Sequence, residues 1–190
     1  MRWMRFDMHY GAIKKCDIAN GEGIRVSLFV SGCRNRCKGC FQPETWDFNY
    51  GNAFTDSTAE EIFSAVDNPS VRGLTVLGGE PMEPENQKAL LPFMLEYKRR
   101  FPQKTIWLYT GNLYEELTGN HRNHTDDTDE LLSLVDILVD GRFIEEEKSI
   151  GLRFRGSKNQ RIIDMAKTRE QGKTVIWEGT REDRNYESKN

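Results

Sequence analysis

Strand-like and helix-like stretches alternate four times between residues 24 and 140, and this alternation constrains the fold more than any other feature of the chain. Ile24-Arg25-Val26-Ser27-Leu28-Phe29-Val30 has strand composition and stops at Ser31-Gly32. Leu74 to Leu77 stops at Gly78-Gly79-Glu80-Pro81, Lys104 to Tyr109 at Thr110-Gly111, and Asp136 to Val139 at Asp140-Gly141. Ser57-x-x-Glu60 is a capping box ahead of Ile62, Phe63 and Val66 at helical spacing. Pro84 suits the first turn of a second helix, and Pro92 is expected to split that helix into two pieces with Leu90, Leu91, Met94 and Leu95 as its apolar stripe. A short helix through Tyr114 and Leu117 ends at Gly119, and another carries Leu131, Leu132 and Leu134. The pattern predicts an α/β fold with a mostly parallel sheet. In such folds ligands bind beyond the carboxyl ends of the strands, so all four polar turns share one rim.

After Gly141 the pattern changes. Leu152 to Arg155, Arg161 to Met165 and Thr174 to Trp177 are short strand-like runs without helical text between them, and Gln171-Gly172 favours a C-terminal hairpin joining the last two. Residues 1–179 are expected to form one domain, and the charged stretch 180–190 a disordered tail.

Three of the four cysteines, Cys33, Cys37 and Cys40, fall in the loop leaving the first of these strands. Thiolates at this spacing can wrap one face of a compact centre, and both iron–sulfur clusters and zinc accept them. A structural zinc needs a fourth ligand, and Cys16, His9, His121 and His124 all lie outside the short spacing of zinc knuckles and ribbons, so the spacing favours iron–sulfur. Cys16 stands apart and reads as a small buried hydrophobe. Crowded thiols also suit a reducing compartment better than a secreted disulfide framework. Met1 to Tyr10 lacks the apolar centre of a signal peptide and no apolar run is long enough to span a bilayer, so a cytoplasmic protein is expected. With 30% charged residues, a net charge of -3 and no basic block, nucleic acid is not an expected partner.

Gly78-Gly79-Glu80 permits two readings. It could be a tight strand-to-helix turn, or glycines that let backbone approach a ligand beside a carboxylate able to accept from an ammonium group. Asp140 is either a turn-former or a polar contact on the rim. Arg153, Arg155, Lys158 and Arg161 form either a solvated face or a docking patch.

The cysteine spacing followed by Gly-Gly-Glu-Pro resembles the radical S-adenosylmethionine enzymes. Ser31-Gly32-Cys33 through Phe41, Glu44-Thr45-Trp46, Gly78 to Pro81, Asp140-Gly141-Arg142-Phe143 and Arg155 to Arg161 together resemble the subgroup that activates anaerobic ribonucleoside-triphosphate reductase, from about Tyr10 to Trp177. The resemblance implies a partial (βα) barrel and a 4Fe-4S cluster on Cys33, Cys37 and Cys40, with S-adenosylmethionine on the fourth iron. It also implies that Gly39, Cys40 and Phe41 lie along that cofactor and that Gly78, Gly79 and Glu80 hold its amino end; Thr110 and Asp140, at strand ends on the same rim, are further candidate contacts. The implied partners are the reductase, which receives a glycyl radical, and a flavodoxin- or ferredoxin-type electron donor. Competing readings are a radical enzyme acting on a small molecule, such as the deazapurine-forming synthases, and a zinc-stabilised binding module.

Overall fold

The computed structural model describes residues 7–179, with seven strands and five α-helices. The expected tail at 180–190 and residues 1–6 lie outside the described residues. The strands are β1 (His9–Asp17), β2 (Ile24–Val30), β3 (Asn52–Ala53), β4 (Val71–Gly78), β5 (Thr105–Tyr109), β6 (Ile137–Asp140) and β7 (Arg161–Asp164). They form one sheet in the order β3-β1-β2-β4-β5-β6-β7. Neighbours from β2 to β6 are parallel, whereas β1 and β3 on one side and β7 on the other are antiparallel additions. The sheet is open, with β3 and β7 as its edges.

The helices are α1 (Asp56–Val66), α2 (Pro84–Arg100), α3 (Tyr114–Leu117), α4 (Thr128–Leu134) and α5 (Met165–Gln171). Side chains alternate across a strand, and here the alternation sorts two layers. Val26, Leu28, Leu74, Val76, Ile106, Leu108 and Leu138 share the main core with Ile62, Phe63, Leu90, Phe93, Met94 and Leu131 from the helices. Trp107, Ile137, Val139 and Ile162 face the other way, where Tyr109, Phe154 and Trp177 pack on them. Phe29, Leu77 and Tyr109 on this second face line a cavity. Among the described residues no helix is long and apolar enough to cross a membrane.

Four expectations are corrected. The cap of α1 lies earlier than Ser57: the Thr55 hydroxyl accepts from the Thr58 N–H at 3.3 Å, and the Thr58 hydroxyl accepts from the Thr55 N–H at 3.3 Å. Helix α2 runs through Pro92 unbroken, because Leu90, Leu91, Phe93 and Met94 are buried around the missing hydrogen bond, while Leu95 is 39% exposed. Cys16 is exposed, since β3 covers β1 only at His9 and Tyr10.

The fourth correction concerns the C-terminal hairpin. Leu152 to Arg155 is not a strand, and β7 pairs with β6. Helix α5 stands between β7 and the next run, which keeps one isolated bridge, Ile163 to Ile176. The Asp164 carboxylate caps α5 by accepting from the Lys167 N–H, and Gly172 at φ 62° ends it. A glycine in that conformation closes a helix as readily as it makes a hairpin turn.

Arg25 is buried at the amino ends of the parallel strands. Its guanidinium donates to the Thr75 hydroxyl at 2.7 Å, to the Leu74 and Thr105 carbonyls at 2.6 and 3.0 Å, and to the Thr105 hydroxyl at 3.1 Å. Burial pushes its pKa down to about 10, which leaves it charged at neutral pH. Arg25→Ala should cost on the order of 3 kcal/mol in urea unfolding, because buried carbonyls lose a charged donor.

Candidate cofactor site

The cysteine loop is held from two sides before any cysteine is reached. The Ser31 N–H donates to the His9 carbonyl at 2.9 Å, the Gly32 N–H to Thr45 at 2.8 Å and the Cys33 N–H to Trp46 at 3.2 Å. Gly32 has φ +93°, and a Cβ there would stand 2.3 Å from the Phe48 ring, so this position requires glycine. Arg34 anchors the loop to the start of α2. The Glu83 carboxylate, fully buried, accepts the Arg34 backbone N–H and its guanidinium, each at 2.8 Å, and Glu85 takes the guanidinium at 2.6 Å. On the far side, Lys38 pairs with Glu145 and Glu146 at 3.1 Å each.

Cys33, Cys37 and Cys40 all line a cavity of about 560 Å³. None is in a disulfide. Burial pushes the Cys33 thiol up to about 12, opposed by the Asn35 and Arg36 backbone N–H groups. Burial also raises Cys37, opposed by the Phe143 N–H. A bound metal deprotonates a thiol outright, so a cationic centre would supply what burial withholds. The opposite walls are the turns after β4, β5 and β6, through Gly78, Gly79, Glu80, Thr110, Gly111 and Gly141.

Gly78 and Gly79 are pressed against the cysteine strand: the Gly79 N–H reaches the Val30 carbonyl at 2.7 Å, and a Cβ on Gly79 would lie 2.7 Å from the Gly32 oxygen. Glu80 is fully buried. Its carboxylate accepts from the Met82 N–H at 2.9 Å, from the Gly111 N–H at 2.8 Å and from the Asn35 side chain at 2.8 Å. Burial raises its pKa, opposed by the Met82 N–H, the Thr110 hydroxyl and the Gly111 N–H. Phe41 is 64% exposed on the cavity wall, with Phe143 5.1 Å away between centroids and the Lys148 ammonium 4.9 Å above its ring. Gly39, at φ +70°, is not among the lining residues; a Cβ there would meet the Glu145 carboxylate at 2.7 Å.

Asp140 is buried and does not line the cavity. It accepts the Tyr114 N–H at 2.8 Å and pairs with Arg161, whose guanidinium also meets Glu115 at 2.6 Å. Arg161 therefore ties β7 to β6 and α3. Arg155 lines the cavity and donates to the Gln160 carbonyl at 2.9 Å, Arg153 lies over the Phe154 ring at 4.9 Å, and Lys158 is exposed. Sequence reading passed over Asn35, Glu83 and Asn86; Asn35 stood in view between two cysteines, but the other two carry no local signal.

Residues 19–163 match the family model of a 4Fe-4S single cluster domain. An anaerobic ribonucleoside-triphosphate reductase-activating protein from Haemophilus influenzae is 40% identical over 157 residues, covering 82% of this chain and 97% of that one. The chain belongs to the anaerobic ribonucleoside-triphosphate reductase-activating proteins. Other members are the activating protein of Enterobacteria phage T4, 38% identical across 82% of this chain and 93% of its own, and that of Escherichia coli, 34% identical across 80% and 96%.

The donor set suits this family's cluster. Thiolate is the ligand that iron–sulfur clusters take, and the three cysteines line one cavity with none in a disulfide.

Arg161→Ala should lower the stability of this activating protein by about 3 kcal/mol in denaturant melts, because buried Asp140 loses its counter-charge. Glu115 provides a pH readout, its carboxyl held down to about 2, chiefly by Arg161. A depressed carboxyl contributes stability above its unfolded pKa of about 4.5 and loses it as pH falls toward 2. The wild type should weaken across that window more than Arg161→Ala does. The difference should be small because Glu115 is half exposed.

Proposed function

We propose that this protein activates anaerobic ribonucleoside-triphosphate reductase as a radical S-adenosylmethionine enzyme, generating a glycyl radical on that partner. The observation that carries the reading is the meeting of Cys33, Cys37 and Cys40 with the Gly78-Gly79-Glu80 turn on the walls of one cavity. When bound, a 4Fe-4S cluster reduced by a flavodoxin- or ferredoxin-type donor, together with S-adenosylmethionine, supplies a 5'-deoxyadenosyl radical that takes hydrogen from the reductase glycine.

The chain's own part is to hold, orient and exclude. Cys33, Cys37 and Cys40 would hold three irons and leave the fourth for the amino and carboxylate groups of S-adenosylmethionine. Gly78 and Gly79 keep the turn close to the cysteine strand, and Glu80 would offer a carboxylate to the amino end while its direct hydrogen bonds fix the surrounding loops. Phe41, braced by Phe143 and Lys148, covers the cofactor from water, and Thr110 closes the side toward β5. Gly39 acts one step back, admitting Glu145 against the loop. Asp140 acts through Arg161 and not by contact.

The four parallel strands with their crossover helices form the partial barrel, and the open side admits the glycine-bearing loop. Arg153, Arg155 and Lys158, on the segment beside the cavity, form part of the docking surface, and Arg161, paired with Asp140 and Glu115, supports that surface from β7. The described residues 7–179 act as one domain, in the cytoplasm where the thiols stay reduced.

Anaerobic reconstitution with iron and sulfide, followed by reductase and S-adenosylmethionine, should yield cofactor cleavage and a glycyl doublet in electron paramagnetic resonance. Replacing Cys33, Cys37 or Cys40 by alanine should abolish both, and Cys16→Ala should leave both intact. A chain that takes up about one zinc and no sulfide, or that cleaves the cofactor only against a small substrate, would overturn the proposal.

A further inference from the structure

Asn86 lies in the first turn of α2, 1% exposed, outside the cavity lining. Its side-chain amide donates to the Glu80 carbonyl at 2.9 Å, to the Ser31 carbonyl at 3.0 Å and, at a longer 3.4 Å, to the Gly32 carbonyl. One hydrogen therefore goes to the glycine turn after β4 and the other to the strand end just before Cys33. With Glu83 three residues earlier gripping Arg34, the helix start holds the cysteine loop at two points.

Resting on the function proposed above, we infer that Asn86 is a positioning residue that sets the spacing between Cys33 and the Gly78-Gly79-Glu80 turn. A cofactor chelated to the cluster at one end and held by that turn at the other spans this gap. A small change in the gap therefore appears in its affinity. The fold does not depend on the amide in the same way. Backbone bonds from Gly79 to Val30 at 2.7 Å and from Glu80 to Gly32 at 2.9 Å still knit β2 to the turn when the amide is gone. All three cysteines also keep their places in the loop, so the cluster still assembles.

Asn86→Asp keeps the shape and turns an acceptor toward the carbonyls; Asn86→Ala removes the donor altogether. Each full-length variant is reconstituted anaerobically, checked for iron, sulfide and melting temperature, and titrated with S-adenosylmethionine by the change in the reduced-cluster electron paramagnetic resonance spectrum. Wild-type iron and sulfide with a Kd raised about tenfold or more is expected, the range typical of residues that orient ligands from behind. KM should rise with it, while cleavage at saturating cofactor falls less. A Kd within twofold of wild type in both variants overturns the inference, as does failure of both to fold, which would make Asn86 a residue of the fold at large. A wild type whose cluster spectrum ignores S-adenosylmethionine would instead defeat the function on which this inference rests.

Discussion

The buried carboxylate of Glu80 joins three pieces of chain at one point. Asn35 of the cysteine loop, Met82 at the approach to α2 and Gly111 after β5 all donate to it, from positions up to 45 residues away. A carboxylate so placed is expensive unless its oxygens are satisfied, and each hydrogen bond in a low-dielectric site is electrostatically stronger than it would be in water. The three loops are therefore set together. Gly111 shows how closely they fit, since a Cβ there would fall 2.5 Å from the Asn35 amide and 3.3 Å from the carboxylate.

The sheet makes this arrangement possible by dividing its labour between faces. One face buries Leu28, Val76, Leu108 and their neighbours under α1, α2 and α4, and this packing holds the strands in register. The other face carries groups that could not sit under helices: Arg25 and Thr75 near the amino ends, then Phe29, Leu77 and Tyr109 against the cavity. A buried cation at one end and a thiol-lined cavity at the other are both tolerated because each finds backbone carbonyls or amide groups close by.

The parts legible in the sequence were the short-range ones. Four strands, their turns and the cysteine loop could be read because composition and glycine placement mark them within a few residues. β1 was missed because His9 to Asp17 mixes lysines, glycine and a cysteine, and it is a strand chiefly through its backbone pairing with β2. α5 was missed because the few apolar residues of Met165 to Gln171 give no clear helical stripe. At the site the cysteines were plain, whereas the grip of Glu83 on Arg34 and of Asn86 on Ser31 spans 49 and 55 residues, beyond the reach of any local pattern. The partners of Arg161 were out of reach for the same reason, since Asp140 and Glu115 lie 21 and 46 residues away.

The open sheet also has a consequence for solubility. β3 pairs with β1 only at His9 and Tyr10, so the outer side of β1 beyond them has no strand partner among the described residues. Such an edge is a template for strand addition by another molecule. Lys14 and Lys15 lie on that stretch, both exposed, with Lys15 paired to Glu61 at 2.8 Å, and charged side chains of this kind discourage strand addition at an open edge. The same two lysines immediately precede the exposed thiol of Cys16, so the charge that guards the edge also sits beside the one cysteine that lies outside the cofactor loop.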